Sequence, residues 1–150
     1  MSTPGAFERG TDGPRVILVG VDGSPTSLRA AAYAAGLARR QRSKLVAVFV
    51  ATAATPIAGW VPGAEQVALD AAAEVDAELR GLMTRATELG IDAEYRAVRG
   101  EPVTELSRMA DELPADAVLV GASEQAGHRL VGSIAVRLVR VGRWPVTVVP

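Results

Sequence analysis

The chemistry of this chain is concentrated in residues 118–133, Val-Leu-Val-Gly-Ala-Ser-Glu-Gln-Ala-Gly-His-Arg-Leu-Val-Gly-Ser. An apolar run ends at Gly121, a polar stretch carrying Gly127 follows, and Gly132-Ser133 opens an apolar segment of helical period. A strand, a glycine-bearing loop and a helix N-terminus in that order turn backbone N–H groups onto an anion. The expected chemistry is therefore phosphate binding. Glu124 opposes it. A unit charge about 6 Å from a phosphate charge, at an effective dielectric of ~20, repels by roughly 3 kcal/mol. That is on the order of a hundredfold in affinity per phosphate charge, unless a metal ion or an outward rotamer relieves it. Arg129 is near enough in sequence to neutralise Glu124. His128, the sole histidine, reads as an exposed residue of this stretch rather than a phosphate partner.

A second polar cluster, Asp22-Gly23-Ser24-Pro25, follows an apolar run and has two readings. Asp22 suits a ligand contact or an Asx turn, and Ser24 before Pro25 suits a helix N-cap. Ser133 likewise suits a phosphate contact or a cap on the helix it opens. Gly20 and Gly121 suit close packing at strand ends as well as ligand approach. Catalysis is poorly supplied. No Gly-x-Ser-x-Gly elbow surrounds any serine, and neither Gly-x4-Gly-Lys-[Ser/Thr] nor Gly-x-Gly-x2-Gly after the first strand is present. The absence of cysteine and the single histidine exclude disulfides, thiolate chemistry and multi-histidine metal sites. A non-enzymatic protein is expected, with slow incidental ATP hydrolysis as the most it would catalyse.

The elements that must position these residues are legible in the hydrophobic pattern. Residues 15–21 and 44–50 are nearly continuous apolar runs, as in strands covered on both faces. Residues 116–121 and 145–149 read the same way, whereas residues 91–98 alternate and suit an edge strand with one wetter face. Helical spacing places Leu28, Ala31, Ala32, Ala35 and Ala38 on one face of a helix from about 25 to 40. Ala68, Ala72, Val75, Leu79, Leu82 and Ala86 mark the inner face of a long helix over 64–89, which Gly90 ends. A short helix follows over about 100–113, and Ile134, Leu138 and Val141 define the last, over 133–142. Strand–helix alternation implies an α/β domain with a parallel sheet and helices on both faces. Ligands of such sheets bind beyond the carboxyl ends of the strands, at the switch in strand order.

The totals agree with one globular domain. The chain has 150 residues, 49% hydrophobic and 22% charged, with a net charge of −1. That balance gives no general affinity for nucleic acid or anionic membrane, and no apolar run approaches the ~20 residues of a membrane span. A cytoplasmic protein is expected. Residues 1–14 read as a flexible leader and residues 15–150 as the domain. Trp60 lies in a Pro/Gly-rich loop, and Trp144 before Pro145 reads as a packing anchor.

Five separated motifs together resemble the universal stress protein family. They are Val-Gly-Val-Asp-Gly-Ser at 19–24, the Gly-Glu-Pro of 100–102, and Ala-Asp-Ala-Val-Leu-Val-Gly at 115–121. Gly132-Ser133 and Trp-Pro-Val-Thr-Val-Val at 144–149 complete the set, which covers residues 15–150. The resemblance implies a Rossmann-like, adenine nucleotide alpha hydrolase-like α/β fold. Its five-stranded parallel sheet has order 3-2-1-4-5.

In the family's ATP-binding branch an aspartate ending strand one, matched by Asp22, contacts the adenosine. A valine ending strand two, matched by Val50, touches the adenine. A Gly-x2-Gly-x9-Gly-[Ser/Thr] loop holds ribose and phosphates. Here Gly121, Gly132 and Ser133 match its ends, but Glu124 replaces the middle glycine and the following gap is two residues shorter. Gly127 partly compensates, and Ala135 stands where a hydroxyl is common. The resemblance thus implies an adenine nucleotide (ATP, AMP or cyclic AMP) between strands one and four, with ATP the most disfavoured by Glu124. Family members are commonly dimers, and in this strand order residues 145–149 form an exposed apolar edge. Pairing of Val146, Val148 and Val149 with a second copy is expected. The alternative is a homodimeric interaction protein whose site has degenerated and holds no nucleotide.

Overall fold

The computed structural model describes residues 13–52, 61–125 and 128–150, with residues 124, 125 and 128–130 described by their backbone. Along the chain run β1 (Val16–Val21), α1 (Pro25–Gln41), β2 (Lys44–Ala51), α2 (Ala64–Glu88), β3 (Ala93–Arg99) and α3 (Pro102–Glu112). Then follow β4 (Ala117–Gly121), β5 (Ser123–Gln125), β6 (His128–Leu130), α4 (Ser133–Val141) and β7 (Val146–Val149). The main sheet is parallel, in the order β3-β2-β1-β4-β7, which is the expected 3-2-1-4-5 with β7 as its fifth strand. Asp116 fixes the start of β1, its Oδ2 accepting the N–H of Arg15 at 2.8 Å and of Val16 at 2.9 Å.

Continuous apolar strands are what a sheet buried on both faces demands, and each face has its own core. Ile17, Val19, Leu45 and Leu119 pack with Ala30, Ala34 and Ala38 of α1 and Leu79 and Met83 of α2. On the other face Leu18, Val46, Val48 and Val118 meet Leu106 and Met109 of α3 and Leu138 of α4. Trp144 packs against this second core, the anchoring role its place before Pro145 suggested.

The inward faces differ in detail from the spacing-based reading. In α1 the buried residues include Ala30, Ala31, Ala34 and Ala38, while Ala32 is exposed. In α4 the buried pair is Ala135 and Leu138; Val141 is 38% exposed. In α2 the buried residues are Leu79, Met83 and Ala86, with Leu82 and Ala68 exposed. For Ala68 the reason is length: the 25 residues of α2 make a rod of about 37 Å, longer than any strand beneath it, whereas Leu82 faces away from the stripe of Leu79, Met83 and Ala86. The C-terminal half of α2 covers the sheet and its N-terminal half runs past the strand ends. Hydrogen exchange monitored by mass spectrometry should therefore show faster exchange over residues 64–75 than over 79–88. Equal protection of the two halves would contradict this packing.

The polar stretch after β4, expected as a loop, contains a short antiparallel pair, β5 with β6. The register sets Glu124 opposite Arg129 and Gln125 opposite His128. The leader residues 1–12, Trp60 and Gly127 lie outside the described residues. Among the described residues no helix is long and apolar enough to cross a membrane.

Candidate functional site

The site begins where β1 stops. Gly23 turns the chain at φ +84°, a conformation glycine takes without a Cβ penalty. A Cβ there would also stand 2.9 Å from Val75 Cγ2, so α2 lies directly on this turn. The Asp22 Oδ1 accepts the N–H of Ser24 at 2.9 Å, which is the Asx turn. Ser24 then caps α1, its Oγ accepting the N–H of Ser27 at 3.2 Å, with Pro25 in the first turn. Ser27 Oγ donates to Ser24 O at 2.9 Å and accepts the N–H of Asp22 at 3.2 Å. Desolvation by the strand ends pushes the Asp22 carboxyl upward in pKa. The Ser24 and Ser27 hydrogen bonds outweigh it and hold the group below the ordinary aspartate value. Asp22 is an exposed, ionised carboxylate fixed in orientation.

Gly121 ends β4 against the first turn of α1. A Cβ there would lie 2.5 Å from Thr26 C and 2.7 Å from Ser27 N, both backbone atoms. The close-packing reading of this glycine therefore holds. Gly20 is less confined, its Cβ position lying 3.1 Å from a Leu106 methyl. At the far side of the site, Gly132 is the N-cap of α4, with φ +86° and ψ +151°. Ser133 is the first helical residue and makes no side-chain cap. The capping reading of Ser133 is thus corrected: the φ of Gly132 sets the helix entry, one residue earlier. Among the described residues no side chain caps the first turn of α4, the condition in which a helix end attracts an anion.

These ends enclose a cleft of about 600 Å³ at the carboxyl side of the sheet. Asp22, Val50, Gly121, Gly132 and Ser133 all line it, although they come from the turn after β1, from β2, from β4 and from the start of α4. Its wall is part apolar (Val48, Phe49, Val50, Leu106) and part hydroxyl-bearing (Ser24, Thr26, Ser123, Ser133). Ala68 and Ala72 of the overhanging α2 also line it. Phe49, Thr26 and Ser123 were not singled out from the sequence. The signal available was adjacency, since each stands within two positions of a strand end or helix start. Among the described residues no cluster of three or more His, Asp or Glu side chains is arranged to hold a metal ion.

A doubly wound α/β domain with one cleft at the β1/β4 switch point is the class that fold and site define. The universal stress protein family model matches residues 14–150, and the chain belongs to that family. It is 26% identical over 136 residues to a universal stress protein of Methanocaldococcus jannaschii, spanning 89% of this chain and 80% of that one. Among solved structures, a universal stress protein family member from Burkholderia pseudomallei is 30% identical with a TM-score of 0.66. That match covers 91% of this chain and 96% of the other. A universal stress protein solved in complex with cAMP is 29% identical with a TM-score of 0.58, covering 91% and 97% of the two chains.

Proposed function

We propose that this stress protein binds an adenine nucleotide in the cleft between the ends of β1 and β4, without catalysing a reaction on it. The observation that carries the reading is convergence: Asp22, Val50, Gly121, Gly132 and Ser133, scattered over more than 100 positions, line one cleft of about 600 Å³. Asp22 and Val50 take the adenosine end; Gly121, Gly132 and Ser133, with the α4 dipole, take the phosphate. Gly127 belongs to the same loop by sequence. The relative solved with cAMP lends support at the level of ligand class. Calorimetric titration with cyclic AMP, AMP, ADP and ATP tests the proposal. One saturable site per chain is expected.

The protein works as a homodimer in this reading. β7 lies at the edge of the sheet, and Val136 and Val139 of neighbouring α4 are 38% and 57% exposed. Val118 N–H donates to Pro145 O and Ala122 N–H to Val149 O. Alternation then turns the N–H and C=O groups of Val146 and Val148 toward the open edge. Val148→Pro should leave the pairing with β4 intact and yield a monomer by light scattering, where the unsubstituted chain gives twice the mass. A monomeric unsubstituted chain at micromolar concentration would overturn the dimer.

A further inference from the structure

Resting on the nucleotide reading of the cleft, we propose that the Glu101–Arg137 ion pair at its rim sets how many phosphates the site tolerates. The pair withholds the cation a second and third phosphate would need. Pro102, next to Glu101, lines the cleft, as do Ser133, Ile134 and Ala135, one turn before Arg137 on α4. Arg137 Nη1 donates to Glu101 Oε1 at 2.6 Å. The other oxygen of Glu101 is already committed. Oε2 caps α3, accepting from Thr104 N–H and from Thr104 Oγ1, each at 2.8 Å. These bonds, that of the Thr104 N–H first and the Arg137 guanidinium next, draw the Glu101 carboxyl down to about 2, so it is an anion at neutral pH.

The electrostatic consequence is specific to phosphate number. Among the described lining residues the one charged side chain is Asp22, an anion. Hydroxyls and the end of α4 suit one phosphate, but the partial charge of a helix end, about +0.5, does not grow with each phosphate added. Among the described residues Arg137 is a cation one helical turn from the lining residue Ser133, and Glu101 neutralises it. Both side chains remain about half exposed, at 52% and 44%, so Arg137 is free to reorient once its partner is gone.

The test is titration of ATP, AMP and cyclic AMP, without divalent metal, into the unsubstituted chain and four variants. Glutamine in Glu101→Gln retains an oxygen to accept the Thr104 N–H, so the cap of α3 persists. Glu101→Gln should raise ATP affinity about fivefold and change cyclic AMP less than about twofold, the range of an exposed pair. Glu101→Gln with Arg137→Ala should return ATP to its starting affinity. Arg137→Ala alone leaves Glu101 an unopposed anion and should lower ATP affinity by a few fold while changing cyclic AMP less than about twofold. Asp111→Asn breaks the ion pair between α3 and Arg143, just past the end of α4, and should alter no nucleotide's affinity. An unchanged ATP to cyclic AMP ratio in Glu101→Gln, or an unchanged ratio in Arg137→Ala alone, overturns the inference while nucleotide binding stands. Absence of heat with all three nucleotides in the unsubstituted chain overturns both.

Discussion

Ser133→Asp is expected to weaken nucleotide binding on the order of a hundredfold while leaving the fold as stable as before or slightly more so. Ser133 opens α4, its side chain makes no cap, and the helix end faces the cleft. A carboxylate in the first helical turn complements the macrodipole and adds about 0.3–1 kcal/mol of stability. The same carboxylate about 5 Å from a bound phosphate costs roughly 3 kcal/mol at an effective dielectric of ~20. Affinity should fall on the order of a hundredfold. The two readouts move in opposite directions, which separates loss of a ligand contact from loss of structure. Paired thermal melts and titrations check it. A destabilised variant, or one that binds cyclic AMP unchanged, contradicts the placement of phosphate on α4.

Gly121→Ala is expected to give the reverse pattern, a large loss of stability arising from packing. Its Cβ would lie 2.5 Å from Thr26 C and 2.7 Å from Thr26 O, and backbone atoms cannot rotate away as a side chain does. Either β4 or the first turn of α1 must move, and α1 is tied down by Ser24 and Ser27. Overpacking of this kind costs about 3 kcal/mol, which for a chain of this size lowers Tm by roughly 6–12 °C. Thermal unfolding followed by circular dichroism measures it. The displacement also shifts Asp22, so nucleotide affinity should fall with stability. A Tm within about 2 °C of the unsubstituted chain would contradict the backbone contact.

Fold and site were legible to different depths for physical reasons. Strand runs such as residues 44–50 are set by burial on both faces, and that imprints a continuous apolar signal. Helix faces were read less well, because in an alanine-rich helix neighbouring stripes are nearly equivalent. Ala32 and Ala34 have the same hydropathy, and only packing against β1 and β4 decides between them. The exposure of Ala68 depends on where a helix outruns the sheet, a relation between elements that spacing within one element does not carry; Leu82, between buried Leu79 and Met83, is simply off the inward stripe. At the site, the strand-end position of Asp22 and Gly121 was enough to place both on the cleft. The cap at Gly132 rather than Ser133 turns on one φ angle. The bond of Glu101 to Arg137, 36 residues apart, exists only once α3 and α4 lie side by side.

The central claim is that the cleft between β1 and β4 holds an adenine nucleotide. Isothermal titration of the purified chain with cyclic AMP and with ATP tests it most directly. The account predicts saturable heat at one site per chain, with cyclic AMP bound more tightly than ATP, and affinity lower on the order of a hundredfold in Ser133→Asp. No heat at millimolar concentrations of cyclic AMP, AMP, ADP or ATP would contradict it, leaving a family member that acts through its surface alone.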